Sequence, residues 1–382
     1  GIGYSEDKIN RAAFEAIKFG NNLTKPSHIE LMAAETIIKN FKNIEMVKFA
    51  KHGSVAVTGA VKLARAYTKK EYILRCSNHP FFSFDDWFIS STNFKEGIPK
   101  SISRYTINFR YLDVVGLKNL IKKYKNQISC LVMEASTISC PTKMCCMKFP
   151  CKNVSSNNTF LKKVEQICKE NKIVFILDEM ITGFRWDLKG AQHLYNISPD
   201  ISTFGKAIAN GFSMSFVGGK RKIMEVASLK NSKKNNFFFL SSTHGAEMVS
   251  LNAFIATFNF YKKNNVIKKN KIFGQKLKDG FNKISKDLGL EEVISMEGLP
   301  CSPVINYNFG DQALKLKTFF LQEMIKKNII IPWISISYRH GDKELNKTLS
   351  ASFEALKKIR KTLKLKKNLL IKGESIKPIF TS

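Results

Sequence analysis

The sequence predicts an α/β protein, with a large domain built on a mostly parallel central sheet and a small C-terminal α+β domain. Three observations predict it. Helical and strand-like segments alternate through the first two thirds of the 382 residues, the pattern of βαβ units. The strand-like segments are continuously apolar, as strands buried on both faces are. After Phe260 the texture changes to Lys-rich helical stretches with a few short strand-like runs.

Taken in order, residues 30–42 place Leu31, Ala34, Ile37, Ile38 and Phe41 on one helical face, and residues 55–67 repeat the period with Val57, Ala60, Val61 and Ala64. Short apolar runs at 72–74, 128–133 and 173–177 read as buried strands. Between the last two, residues 158–171 form a crossover helix with Phe160, Leu161, Val164 and Ile167 inward. Phe216-Val217-Gly218-Gly219 closes a further strand. Beyond residue 260, helices are expected over 266–288, 311–327 and 344–365, and strands over 304–308 and 329–336. The expected divisions are an N-terminal helical segment (1–45), a large α/β domain (46–260) and a small domain (261–382).

Composition narrows the function. A length of 382 residues with 24% charged residues is neither a disordered chain nor a disulfide scaffold. The formal net charge of +31 raises the question of a polyanionic partner. Only nine of the 62 basic residues are Arg, the side chain suited to bidentate contacts with bases and phosphates, and the Lys residues are scattered. The charge therefore reads as solvated surface, with no nucleic-acid partner. No apolar run approaches the ~18–20 residues of a membrane helix, and residues 329–336 are interrupted by Pro332 and Trp333. Gly1-Ile2-Gly3-Tyr4 is neither a signal nor a transit peptide, so a cytoplasmic protein without membrane attachment is expected. Eight Cys form no disulfide framework. Cys140, Cys145, Cys146 and Cys151 lack the Cys-x2-Cys pairs of most zinc sites and read as reduced thiols in a loop, with a structural metal as the second reading.

Chemistry concentrates in two segments. In residues 172–185 an apolar strand stops at Asp178-Glu179, and ligands of open α/β sheets sit at the carboxyl ends of strands. The competing reading of Asp178 is a helix cap or an ion pair with Arg185. Twenty-eight residues on, Lys206 stands among Gly205, Ala207 and Ala209, a setting for a partly desolvated amine with a lowered pKa that can form a Schiff base.

Together these segments resemble the class III, fold-type I pyridoxal-phosphate enzymes, and within them the glutamate-1-semialdehyde aminomutase-like branch. Asp178 to Arg185 is similar to that branch's strand-end motif, Thr203-Phe204-Gly205-Lys206-Ala207 to its lysine motif, and Val217 to Arg221 follows in order. The resemblance runs along essentially the whole chain. It implies pyridoxal 5'-phosphate as cofactor, Lys206 as the Schiff-base amine and proton carrier, Asp178 at the pyridinium nitrogen, and Met180 against one ring face. It implies Gly53 and Ser54 at the phosphate, where Lys51-His52-Gly53-Ser54 precedes a helix whose N-terminus favours an anion. The alternative for Ser54 is a simple N-cap. Val55 departs from the family's acidic or amide residue.

Thr243 in Ser242-Thr243-His244-Gly245, with Ser242 as the second candidate, is similar to the threonine that reaches the phosphate of a neighbouring subunit, implying a homodimer with shared active sites. Where relatives carry an aromatic-His-Gly against the ring, this chain has Asn78-His79-Pro80-Phe81-Phe82, leaving His79, Phe81 and Phe82 as candidates. Glu134, at another strand end, either supports the site or is a buried structural carboxylate. His52, His244 and His340 show no metal or triad pattern. Relatives usually begin some tens of residues earlier, so a truncated N-terminus is expected.

The implied activity is transamination of a small amino or keto substrate. The segment from Ala209 to Phe216 lacks the triple Gly and Pro of the tetrapyrrole-forming relatives, which leans the reading from intramolecular aminomutase towards aminotransferase. The rival from another class is a non-catalytic basic binding protein on the same fold. The joint presence of Asp178, Lys206, Gly53-Ser54 and Thr243 argues against it.

Overall fold

The computed structural model describes residues 1–136, 159–228, 230–231, 236–240, 242–365 and 368–377. The Cys140 to Cys151 cluster lies outside them. The chain divides into two compact units, one of Tyr4–Asn264 and one of Asn265–Ile379 with Gly1–Gly3.

The larger unit carries strands β1 (Met46–Ala50), β2 (Tyr72–Cys76), β3 (Thr106–Phe109), β4 (Ile128–Glu134), β5 (Val174–Asp178), β6 (Ile201–Phe204) and β7 (Ser215–Gly219) in one sheet of order β1-β7-β6-β5-β4-β2-β3. Neighbours from β3 through β6 pair in parallel, whereas β7 is antiparallel to both β6 and β1. All seven residues of β4 and all five of β5 are buried. That double burial explains their continuous apolar sequence, because helices cover both faces of a parallel sheet.

On one face lies the helix Gly53–Thr68, whose Ala56, Val57, Ala60, Val61 and Ala64 share a core with Ile73, Val132, Ile176, Ile201 and Val217. Small residues on that helix let it approach the strands closely. The other face carries aromatics. Phe204 stacks on Phe216 at 4.9 Å between ring centroids, and Phe41 meets Phe204 edge-on at 5.2 Å, geometry that favours the ring quadrupoles. The crossover helix Phe160–Glu170 buries Phe160, Leu161, Val164 and Ile167 as expected and is capped by Thr159, whose hydroxyl accepts from Lys162 N at 3.2 Å.

Two expectations need correction. The helix His28–Asn40 buries Ile29, Ala33 and Ile37 and leaves Leu31 and Ile38 exposed. An i, i+4, i+8 stripe, rotated from the expected face, is the one turned to the core. The run 329–336 forms no strand. Pro332 offers no N–H for a ladder, and Ile329, Ile331 and Ile334 instead pack singly against the core of the smaller unit. That unit is a two-stranded antiparallel ribbon of β8 (Ile294–Glu297) and β9 (Val304–Tyr307) with helices Val266–Asp287, Ala313–Ile325 and Asp342–Lys364. Gly1 and Ile2 accept from the amides of Tyr338 and Arg339 within it. No helix among the described residues is long and apolar enough to cross a membrane.

Candidate active site

The carboxyl ends of β4, β5 and β6 and the start of the helix Gly53–Thr68 surround a cleft of about 380 Å³, within the range of small-molecule sites. Gly53, Ser54, Met180, Asp178 and Lys206 all line it, with Glu134, Phe81, Phe82 and the segment Gly211 to Met214. Side chains far apart in sequence thus converge because their strands are neighbours.

Asp178 is 3% exposed. Its Oδ1 accepts from Met180 N at 2.9 Å and Thr203 Oγ1 at 3.1 Å. Its Oδ2 accepts no hydrogen bond from a described residue. Burial pushes the carboxyl up to about 6, opposed by the Met180 amide, the charge of Lys206 and the Thr203 hydroxyl. The capping role considered for Asp178 falls to its neighbour. Glu179 is fully buried and accepts from Ala191 N at 2.8 Å, Gln192 N at 2.7 Å and the Thr182 hydroxyl. It thereby closes the loop that follows β5. Desolvation raises the Glu179 carboxyl to about 7 against these three bonds.

Met180 sits between two glycines. A Cβ on Gly53 would stand 3.0 Å from its sulfur, and one on Gly205 2.5 Å. Neither glycine is there for a turn; each leaves room for the thioether at the cleft floor. Lys206 opens a short 3-10 turn with φ 49°. Its side chain is exposed, not partly desolvated as expected, since Gly205 and Ala207 beside it have little or no side chain to cover it. Ser54 is not the helix cap. His52 takes that position without a side-chain bond, and Ser54 Oγ accepts from Phe84 N at 3.3 Å.

The aromatic question narrows. His79 is buried away from the cleft, its Nδ1 accepting from Glu134 N at 3.2 Å, its ring edge-on to Phe82 at 6.0 Å. Burial, helped by the nearby Arg75 charge, lowers it to about 3, so it stays neutral. Phe81 and Phe82 remain at the cleft. Thr243 is exposed and does not line the cleft. Its turn is tied to the cleft wall by Glu247, which pairs with Lys51 and lies 2.9 Å from His244 Nδ1. The sequence reading missed the glycine seat of Met180, for which Gly205 beside Lys206 was the available signal. It also missed the lining by Gly211 to Met214, a stretch without charged or nucleophilic side chains other than Ser213. Among the described residues no group of His, Cys, Asp or Glu could hold a metal.

The family model for class III aminotransferases matches residues 1–303. The chain belongs to the class III aminotransferases. Relatives of this class III aminotransferase include the glutamate-1-semialdehyde 2,1-aminomutase of Clostridium novyi, 28% identical over 94% of this chain and 84% of that protein. The 3-aminobutyryl-CoA aminotransferase of Cloacimonas acidaminovorans is 29% identical over 95% and 83%. Among solved structures, an omega-transaminase from Sphaerobacter thermophilus superposes with a TM-score of 0.82 at 20% identity, covering 94% of this chain and 84% of its own. The FumI protein of Sphingopyxis sp. MTA144, solved in its PLP internal aldimine form, gives 0.81 at 21% identity over 95% and 83%. This likeness shows the fold; the family membership carries the activity class, amino-group transfer.

Proposed function

We propose that this class III aminotransferase holds pyridoxal 5'-phosphate in the cleft and moves an amino group to or from a small keto or aldehyde substrate. The residues present fit the group. Asp178 offers a buried oxygen without a partner among the described residues, Met180 a polarisable apolar floor, and the 16-residue helix Gly53–Thr68 an N-terminus for the phosphate. The observation that carries the reading is Asp178. A buried carboxylate with one oxygen anchored and the other open, in the same cleft as a lysine that emerges beside a glycine, suits a cationic ring nitrogen and an aldehyde together.

When bound, pyridoxal phosphate supplies an aldehyde that takes up amines and a ring that stores the electron pair released when a neighbouring carbon loses its proton. Lys206 Nζ would hold the cofactor through its aldehyde carbon, the oxygen leaving as water, and once displaced by a substrate amine would carry the proton between carbons. Asp178 keeps the ring nitrogen protonated through a charge-assisted bond. Met180 would back one ring face, Phe81 or Phe82 the other, and the amides and hydroxyl at Gly53-Ser54 would hold the phosphate. Thr243 completes the phosphate contacts of a second copy, so the enzyme works as a homodimer with shared sites. Its exposure on the single chain supports that role. Cys76, Cys130 and Cys168, free and buried, suit the reducing cytoplasm.

Two outcomes share this machinery. The 3-aminobutyryl-CoA aminotransferase relative and the segment from Ala209 to Phe216 favour transfer between molecules; the Clostridium novyi relative favours the intramolecular aminomutase. Wild-type protein mixed with pyridoxal phosphate should gain a visible absorption band that survives dialysis and is lost in Lys206→Ala; identical spectra would refute the assignment of Lys206. A 15N-labelled amino donor then separates the outcomes. Label appearing in a second, unlabelled keto substrate is transamination, and label confined to the donor skeleton is the mutase.

A further inference from the structure

Glu134 is a second carboxyl of the cleft that the proposed chemistry leaves unused. We propose that Glu134 stands there as a neutral carboxylic acid, a positioning residue that holds the Glu134–Asp178 pair at one negative charge. Glu134 and Asp178 end adjacent parallel strands and are paired in register, so both carboxyls leave the sheet at the same level. Glu134 is 8% exposed, lines the cleft, and its carboxyl receives no hydrogen bond from any described residue. Its backbone is fixed instead, through the bond from its N–H to His79 Nδ1.

Two buried carboxylates at neighbouring strand ends repel, and without compensating bonds one keeps its proton. Asp178 has such bonds, from Met180 N and Thr203 Oγ1; Glu134 has none from a described residue. The charged and titratable groups around Glu134 do not reverse this. Asp178 and Glu179 on β5 and just beyond it both oppose its charge, and Lys206 alone favours it. His79 is neutral, the Cys76 thiol is raised by burial to about 12, and Arg75 points its guanidinium at Asn108 and His79 O. Lys51 is engaged by Glu247 and Ser250, and His52 sits at the mouth against Phe84. In accord with this setting, desolvation first and Asp178 second push Glu134 up to about 8.

The consequence for the cofactor rests on the proposed function above. A cationic ring nitrogen at Asp178 meets one anion between about pH 6 and pH 8 and two above it, so Glu134 sets the charge that the pair presents. The proton itself can be read without cofactor. Infrared difference spectra of cofactor-free wild type and Glu134→Gln at pH 7 should show a protonated-carboxyl stretch present only in the wild type, lost as pH rises through about 8. Absence of that band would overturn the proposal. In Asp178→Asn the same band should titrate at lower pH, because the repelling neighbour is gone; an unmoved midpoint would overturn the coupling. For the positioning role, the Kd for pyridoxal phosphate, read from visible absorbance, should change at least about threefold between pH 7 and pH 9 in wild type. In Glu134→Gln it should change less. Equal changes in both refute the role. A protein that shows the infrared band yet takes up no pyridoxal phosphate would sink the cofactor reading and leave the neutral acid standing, so the two failures are distinct.

Discussion

Replacing Gly190 by Ala should destabilise the larger unit by far more than a glycine substitution usually does. Gly190 has φ 83° and ψ 176°, a region of the backbone map open almost only to glycine, and forcing alanine into it costs about 1–3 kcal/mol. The new Cβ would also stand 2.5 Å from Glu179 Cδ and 2.6 Å from both carboxylate oxygens. That carboxylate is not free to retreat, being held by Ala191 N, Gln192 N and the Thr182 hydroxyl. Loss of one buried charge-assisted bond adds about 1.5–3 kcal/mol. The sum, roughly 2.5–6 kcal/mol, corresponds to a fall in melting temperature of about 5–24 °C at roughly 2–4 °C per kcal/mol. Scanning calorimetry of the cofactor-free protein measures it. Gly97→Ala is the control, since Gly97 has φ 81° but nothing within 4 Å of where the new methyl group would stand. If Gly190→Ala melts no lower than Gly97→Ala, the reasoning about Glu179 is wrong.

Gly205→Ala meets no backbone strain at φ −171° but drives a methyl group to 2.5 Å from Met180 Sδ. It should weaken pyridoxal-phosphate binding by about tenfold, around 1.4 kcal/mol, with recovery in the Gly205→Ala/Met180→Ala double variant; titration of the visible band decides. Asp178→Asn keeps an acceptor for Met180 N and Thr203 Oγ1, so its melting point should stay near wild type while turnover falls by about 10²-fold or more; a matched loss of stability would instead make Asp178 structural. His79, lowered to about 3 when folded, binds fewer protons folded than unfolded between that value and about 6.5. Its contribution therefore falls as pH falls across that window, by about 2 kcal/mol from pH 7 to pH 5. Urea denaturation of wild type against His79→Asn should show that extra acid sensitivity in wild type alone; parallel curves would mean His79 is not buried neutral.

The parts of the fold legible in the sequence were those where one physical demand dominates. β4 and β5 announce themselves because burial on both faces tolerates no polar interruption, and the helix Phe160–Glu170 because its buried stripe is strongly periodic. β3 (Thr106–Phe109) escaped because its pattern of buried and exposed residues is too short to distinguish from a loop, and β6 because its Ile-Ser-Thr-Phe places two buried hydroxyls where apolar side chains are expected. Those hydroxyls have partners that only the fold supplies, Gln192 for Ser202 and Asp178 for Thr203. At the site, Asp178 stands out because a charge at the end of an apolar run is costly unless it works, and Lys206 because it stands alone among Gly205, Ala207 and Ala209. The division of labour between Asp178 and Glu179 is invisible in sequence, because it depends on which carboxylate the amides of residues 191 and 192 face.

The register of the sheet also works as a ruler across the cleft. Glu134 pairs with Asp178, Asp178 with Thr203, Phe204 with Phe216, and Phe216 with Phe49. The acid pair, the lysine turn and the helix start that follows β1 are therefore spaced in whole strand separations of about 4.8 Å. Strands β6 and β1, which lead to Lys206 and Gly53, lie two separations apart, roughly 10 Å, with only β7 between them. That measure is set by backbone hydrogen bonds and not by the loops, so loop lengths can vary without moving the cleft's ends. A slip of β5 by a single residue would keep every ladder bond available, yet it would turn Asp178 to the opposite face.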